Sequence, residues 1–295
     1  MSTQPSQAAE PRVTATALRA MKQASRPIVM VTAYDHPGAR LVEQAGVDAV
    51  LVGDSLGMTV LGFDSTLPVT MEDMVRHTAA VSRACTRVLV VADMPFMSYQ
   101  ASKQDGMRNA GRLIAEAGAH AVKLEGATES TLELTRALVD AGIPVLGHLG
   151  LTPQSVNSLG GYSVQAREAD SAALLLRQCV QLEAAGAFGI VLECIPAELA
   201  ERASALVSVP TIGIGAGVGC DGQVQVFHDL LGLSGFTPRH AAVYAEIGAA
   251  IRAAVESYTS DVRDRSFPGE PQVTHLDTAV LAQAELLYAG EERHR

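Results

Sequence analysis

The chain has 295 residues, 48% of them hydrophobic and 18% charged, which suffices for one barrel domain of about 250 residues with extensions or for two smaller domains. A formal net charge of −10 without any basic run argues against a nucleic-acid partner, because phosphate contacts need Lys and Arg. No apolar run approaches the ~18 residues of a membrane span, Met1–Pro11 lacks the charged and apolar regions of a signal peptide, and Cys85, Cys179, Cys194 and Cys220 form no CxxC pair, so a cytoplasmic chain with reduced thiols is expected.

After a flexible N-terminus (residues 1–13), Thr14–Ala24 is expected to form a lead helix across the barrel. A pattern then recurs: a helix-like stretch ends in Ala-Gly, an apolar run follows, and a polar residue closes it. Ala45-Gly46 leads into Val47–Val52 and Asp54, Ala117-Gly118 into Ala119–Val122, Lys123 and Glu125, Ala141-Gly142 into Ile143–Leu146 and His148, and Ala185-Gly186 into Phe188–Leu192 and Glu193. Each glycine suits the left-handed position that stops a helix, and each run has the length of a buried strand. Further strands fit at Ile28–Thr32, Val88–Ala92, Thr211–Ile214 and Val224–Phe227.

Helices are expected over Met71–Ala84, Lys103–Ala117, Ser130–Asp140, Ser171–Ala185 and Ala197–Val207, with a capping box at Thr70 and Asp73. Eight strands alternating with helices point to a (βα)8 TIM barrel over residues 14–262, with a doubly wound open sheet as the alternative. The seventh and eighth strands are joined by a short Gly-rich stretch with little room for a helix. A long helix follows Pro238 toward Tyr258, and residues 263–295 read as a linker and a C-terminal helical tail.

In such a barrel the strand C-termini face the active site. Here they carry Asp54 and Ser55, Asp93, Lys123 and Glu125, His148, and Glu193. Crowded carboxylates repel one another unless a cation sits among them, and an oxygen-only set suits Mg2+ rather than zinc. Each residue also has a plainer reading. Asp54, Asp93, Glu125 and Glu193 are of the type that caps helices, and Lys123 and Glu125 share a strand face and suit a structural ion pair. His148 fits packing slightly better than acid–base work, and Cys194 fits buried filler better than a nucleophile. The alternating Gly213, Gly215, Gly217 and Gly219 do not match a dinucleotide fingerprint and suit a turn or close backbone approach to a ligand.

These residues lie in strings that closely resemble the 3-methyl-2-oxobutanoate (ketopantoate) hydroxymethyltransferase family. The strings are Thr32-Ala33-Tyr34-Asp35, Leu51 to Met58, Asp64 to Thr70, Ala92 to Met97, Val122 to Gly126, Gly147 to Val156, Leu192 to Pro196 and Ile212 to Gly217. The resemblance runs from about Thr14 to about Glu270. It implies a TIM barrel of the phosphoenolpyruvate/pyruvate type, one Mg2+ per subunit and a homodecamer. It also implies transfer of a hydroxymethyl group from 5,10-methylenetetrahydrofolate to 3-methyl-2-oxobutanoate, giving 2-dehydropantoate for pantothenate and coenzyme A synthesis. By resemblance, Asp54, Asp93 and Glu125 match metal residues, Asp54, Ser55, Asp93 and Lys123 match oxo-acid contacts, and Glu193 matches the proton acceptor.

The physical logic agrees with that assignment: a 2-oxo acid chelating Mg2+ is polarised toward an enolate, Lys123 neutralises its carboxylate, and Glu193 takes the C3 proton. Two rival readings are a phosphoenolpyruvate mutase/isocitrate lyase-like barrel enzyme and a non-catalytic barrel scaffold. The absence of a Lys-Lys-Cys-Gly-His string argues against the first, and the full acidic set with Lys123 against the second.

Overall fold

The computed structural model describes residues 11–292; most of the expected flexible N-terminus lies outside them. Eight parallel strands close on themselves: β1 (Ile28–Thr32), β2 (Ala49–Val52), β3 (Leu89–Asp93), β4 (Ala121–Glu125), β5 (Val145–Gly150), β6 (Gly189–Glu193), β7 (Thr211–Ile214) and β8 (Gly222–Gln225). Closure comes from β8 pairing with β1, Ile28 opposite Gly222, which rules out the open sheet. Short aliphatic side chains make this work. Met30, Ala49, Leu51, Leu89, Val91, Ala121, Leu146, Val191, Ile212 and Val224 fill the barrel interior, and larger apolar clusters fill the layer between strands and helices.

The expected helices are present at Met71–Ala84, Lys103–Ala115, Glu129–Asp140, Ala169–Ala184 and Ala197–Leu206, with a further one at His36–Gln44. Thr70 Oγ accepts the Asp73 N–H and Asp73 accepts the Thr70 N–H, both at 3.1 Å, as the capping box requires. The glycines of the four Ala-Gly pairs all take positive φ, from +74° at Gly118 to +96° at Gly186, the left-handed geometry that ends a helix.

The lead helix, Ala15–Gln23, carries Leu18 and Met21 into the same interior cluster as the strands and so plugs the barrel base. Lys22 fastens it there, donating to the carbonyls of Ser204 (2.7 Å) and Val209 (3.0 Å) and to Asp221 (2.9 Å).

Several boundaries differ from the sequence reading, most clearly at β4, β5, β8 and the C-terminal helix. Strands β4 and β5 run beyond their apolar stretches, so Lys123, Glu125 and His148 lie within strands rather than after them. Hydropathy ends where the barrel's top layer turns polar, although the ladder continues. The eighth strand lies two residues earlier than expected because pairing with β1 sets its register; Phe227 instead opens a four-residue helical turn, Phe227–Leu230. The long C-terminal helix is Ile247–Arg263, later than the expected start after Pro238.

Of the alternating glycines, Gly213 lies in β7 and Gly215, Gly217 and Gly219 in the tight β7–β8 connection, where side chains at Gly217 and Gly219 would collide with Ala197 and Glu201. The chain forms two compact units, one through Ala245 and one from Glu246. The second comprises helix Ile247–Arg263, a turn at Glu270–Gln272 and helix Thr278–Glu292. No helix among the described residues is long and apolar enough to cross a membrane, and all four cysteines are free thiols.

Candidate active site

The polar residues singled out in the sequence gather at the C-terminal mouth of the barrel. Asp93, Glu125 and Glu193 are the last residues of β3, β4 and β6, while Lys123 and His148 lie one turn of the pleat earlier in β4 and β5. Asp54 and Ser55 form the turn after β2. Register does the gathering: Asp93 stands opposite Lys123, and Glu125 opposite His148. At the end of β5, Gly150 has φ +95°, and any side chain there would run into the Glu193 carbonyl, so the approach of β5 to β6 beside the site requires glycine.

None of the four acids caps a helix. Asp93 Oδ2 accepts the backbone N–H of Asp54 (3.0 Å), and its Oδ1 lies 2.7 Å from Lys123 Nζ. Lys123 therefore pairs with Asp93 rather than with its strand neighbour Glu125. His148 stands between two carboxylates, with Nδ1 3.5 Å from Glu125 and Nε2 3.2 Å from Glu193. Ser55 Oγ shares a 2.8 Å hydrogen bond with the Tyr34 hydroxyl. Glu193 has a side chain 16% exposed, against 2–5% for Asp93, Lys123, Glu125 and His148, so it is the acid that an incoming ligand reaches most easily.

Three contributors escaped the sequence reading. Gln154, in the turn after β5, touches Asp54 and Glu125; Tyr99, after β3, touches Glu125 and Gln154; Tyr34 supports Ser55. Gln154 and Tyr34 lie in the family-like strings, but an amide or phenol in a loop carries no periodicity or charge signal, and Tyr99 lies outside those strings.

Electrostatics single out the cluster. Burial pushes the Asp54 carboxyl well above its ordinary value, and the charges of Asp93 and Glu125 push it further. For Lys123 burial works against the ammonium, but Asp93, Glu125 and Asp54 outweigh it and hold the group protonated. Burial and Lys123 likewise oppose charge on His148, yet Glu125 and Glu193 lift it to about 9. Four carboxyl groups thus share a largely buried mouth with two cationic partners, Lys123 and His148.

Asp93 Oδ1 is engaged by the Lys123 ammonium, whereas Glu125 Oε1, also buried, has only His148 Nδ1 at 3.5 Å, too long for a good hydrogen bond. Among the described residues no three His, Cys, Asp or Glu side chains form a ready-made metal cage. Mg2+ seldom uses such a cage; it typically takes one or two carboxylates and completes its shell with water and substrate oxygens. The crowding of four acids, the all-oxygen donors and the weakly engaged Glu125 Oε1 therefore fit a hard dication.

Cys194 follows Glu193 at φ +48°, and its Sγ lies 3.6 Å from His240 Nδ1. Burial pushes the thiol up to about 11, so it stays protonated near neutral pH and is a poor nucleophile.

Solved structures with a similar fold include a phosphoenolpyruvate phosphomutase from Streptomyces platensis subsp. rosaceus (TM-score 0.59, 18% identity, 95% of this chain and 99% of that one). Another is 2,3-dimethylmalate lyase, a member of the PEP mutase/isocitrate lyase superfamily (TM-score 0.57, 20% identity, 96% and 99%). At these identities the likeness concerns the barrel alone. Sequence relatives are much nearer. The 3-methyl-2-oxobutanoate hydroxymethyltransferase of Carboxydothermus hydrogenoformans is 54% identical over 88% of this chain and 94% of its own length. The enzyme of that name from Geobacillus thermodenitrificans is 53% identical over 92% and 96%. Residues 12–270 match the ketopantoate hydroxymethyltransferase family along their whole length, and the chain belongs to that family.

Proposed function

We propose that the barrel mouth transfers a hydroxymethyl group from 5,10-methylenetetrahydrofolate to C3 of 3-methyl-2-oxobutanoate, giving 2-dehydropantoate for pantothenate synthesis. The observation that carries this reading is the buried mouth itself: Asp54, Asp93 and Glu125 crowded together, Lys123 among them and Glu193 at the accessible edge, in a chain half identical to transferases of that name.

Asp54, Asp93 and Glu125 would hold Mg2+, some of them through water. Bound there, the ion would supply Lewis-acid polarisation of the keto group, an effect worth several kcal/mol in such chemistry. Mg2+ with oxalate, a small dicarboxylate, is bound by a phosphonopyruvate hydrolase that shares the barrel.

The remaining steps fall to the chain's own residues. Lys123 neutralises the oxo-acid carboxylate as a point charge, and Ser55, steadied by Tyr34, fixes its orientation. Glu193 removes the C3 proton. The C–H electron pair becomes the C2–C3 double bond, and negative charge moves to the keto oxygen. C3 then attacks the folate's methylene carbon as one of its two C–N bonds breaks; water replaces the other nitrogen and supplies the hydroxyl oxygen, and tetrahydrofolate departs, its two nitrogens having taken up the C3 proton and one proton of the water. His148 holds the Glu193 carboxylate in place from 3.2 Å. A homodecamer is the assembly proposed with this reading.

Incubation with 3-methyl-2-oxobutanoate, Mg2+ and 5,10-methylenetetrahydrofolate is expected to yield 2-dehydropantoate and tetrahydrofolate in equal amounts. Carbon–carbon cleavage of the oxo acid in place of transfer would favour the lyase-type reading. Calorimetry without any coupled uptake of cation and oxo acid would favour a scaffold.

A further inference from the structure

Gln154 is a largely buried amide in the turn Pro153–Ser155, and it makes contacts in five directions. Its backbone N–H donates to Glu125 Oε2 (3.0 Å). Its side-chain Nε2 donates to Asp54 Oδ2 (2.8 Å) and to the Met94 carbonyl (2.9 Å). Its Oε1 accepts from the Tyr99 hydroxyl and from Gln100 Nε2, both at 3.0 Å.

The direction of this network is fixed by chemistry. Tyr99 Oη accepts the Glu125 N–H (3.1 Å), so its own proton is free to go to Gln154 Oε1. With donors on one side and acceptors on the other, the amide has one orientation, and both of its protons are spent. The flipped amide would set its oxygen against the Asp54 carboxylate and a carbonyl.

The consequence falls on the two carboxylates. Gln154 occupies one oxygen of each: Oδ2 of Asp54 and Oε2 of Glu125. Glu125 Oε1 is left with only the long 3.5 Å approach of His148 Nδ1, and Asp54 Oδ1 accepts no hydrogen bond from a described residue. One loop residue thus sets how two acids, one in the turn after β2 and one at the end of β4, 71 positions apart in sequence, present their remaining oxygens.

We propose that Gln154 is the positioning residue of the cation site, orienting Asp54 and Glu125 so that one oxygen of each stays available to a divalent cation and its water shell. The inference rests on the reading of those acids as the cation site. Outer residues of this kind typically change metal affinity by about 10- to 100-fold when removed.

The test is Mn2+ titration of the full chain, without oxo acid or folate, followed by electron paramagnetic resonance, with melting temperature measured alongside. Gln154→Met preserves volume and the backbone N–H to Glu125 but removes the amide. It is expected to weaken Mn2+ binding about 10- to 100-fold at an unchanged melting temperature. Tyr99→Phe, which removes one of the two donors that steady the amide oxygen, is expected to weaken it less, and it carries the test alone if Gln154→Met does not fold. Wild-type affinity in the variant overturns the proposal. So does a loss of affinity only in step with a fall in melting temperature, which would make Gln154 merely structural. A wild-type protein that takes up no Mn2+ would instead bring down the reading of the acids on which the inference stands.

Discussion

The two ends of the barrel use the same ingredients differently. At the base, carboxylates are engaged as fast as they are buried. Asp221 Oδ2 takes Lys22, the Thr211 N–H and the Thr211 hydroxyl, all within 3.0 Å. Glu43 Oε1 gathers the N–H groups of Thr86, Arg87 and Val88 ahead of β3, and Glu183 Oε1 does the same with Ser208 and Val209 ahead of β7. At the mouth, acids crowd together, and Glu125 Oε1 is left buried with no hydrogen bond of good geometry. Unsatisfied buried charge costs stability, and a fold that elsewhere satisfies its acids so fully keeps it only where a ligand completes the set. The base holds the barrel together, and the mouth is kept for chemistry.

Substitutions at the two ends should therefore fail in opposite ways. The largest effect is expected at Glu193: Glu193→Gln should lower turnover by ~10²–10⁴-fold while oxo-acid binding and melting temperature stay near wild type. Wild-type turnover would remove it from the base role. Next comes Asp54→Asn, which keeps an acceptor for Gln154 and discards the charge. Its cation affinity should fall by ~100-fold or more, beyond the effect usual for supporting residues, without any loss of melting temperature in the cation-free protein. An unchanged cation titration would reassign Asp54 to structure.

At the base the pattern should invert. Lys22→Met should cost about 2–3 kcal/mol in denaturant unfolding, the usual scale for hydrogen bonds to a charged group, and leave turnover per folded molecule intact. A loss of turnover with stability preserved would erase the contrast.

The smallest effect concerns pH. Burial raises the Glu43 carboxyl, but the N–H groups of Arg87, Val88 and Thr86 outweigh it and hold the group below its ordinary value. A carboxylate lowered in the folded state adds stability that is present above its unfolded pKa and fades as pH falls through the folded one. Glu43→Gln should thus lower the urea midpoint at neutral pH and flatten its decline in acid. Parallel acid limbs for variant and wild type would show that the group contributes no such linkage.

Much of this architecture was legible in the chain. Ala-Gly pairs followed by short apolar runs mark where helices stop and strands begin, because only a residue at ease with positive φ ends a helix there. Apolar runs placed β1 and β7 residue for residue. They failed at the upper ends of β4 and β5, where Lys123, Glu125 and His148 interrupt hydropathy inside a continuing ladder. That failure marks the site, since polar side chains inside a barrel are tolerated at the functional layer. The charged residues of the mouth could be named from sequence because charge at a strand end is conspicuous. Gln154 and Tyr99 could not be assigned a part, since an uncharged loop residue acquires its role only when closure brings β2, β3, β4 and β5 together. The pairing of Lys123 with Asp93 likewise depends on the register of β3 against β4, which local pattern does not encode.

Hydrogen–deuterium exchange at C3 of 3-methyl-2-oxobutanoate, followed by proton NMR in deuterated water without folate, tests the account most directly because it isolates proton removal from transfer. Exchange is expected with the wild-type protein and Mg2+, and is expected to vanish on chelation and in Glu193→Gln. Exchange that survives either change would contradict the claim that a cation among the mouth's acids and a carboxylate at its edge together make C3 nucleophilic.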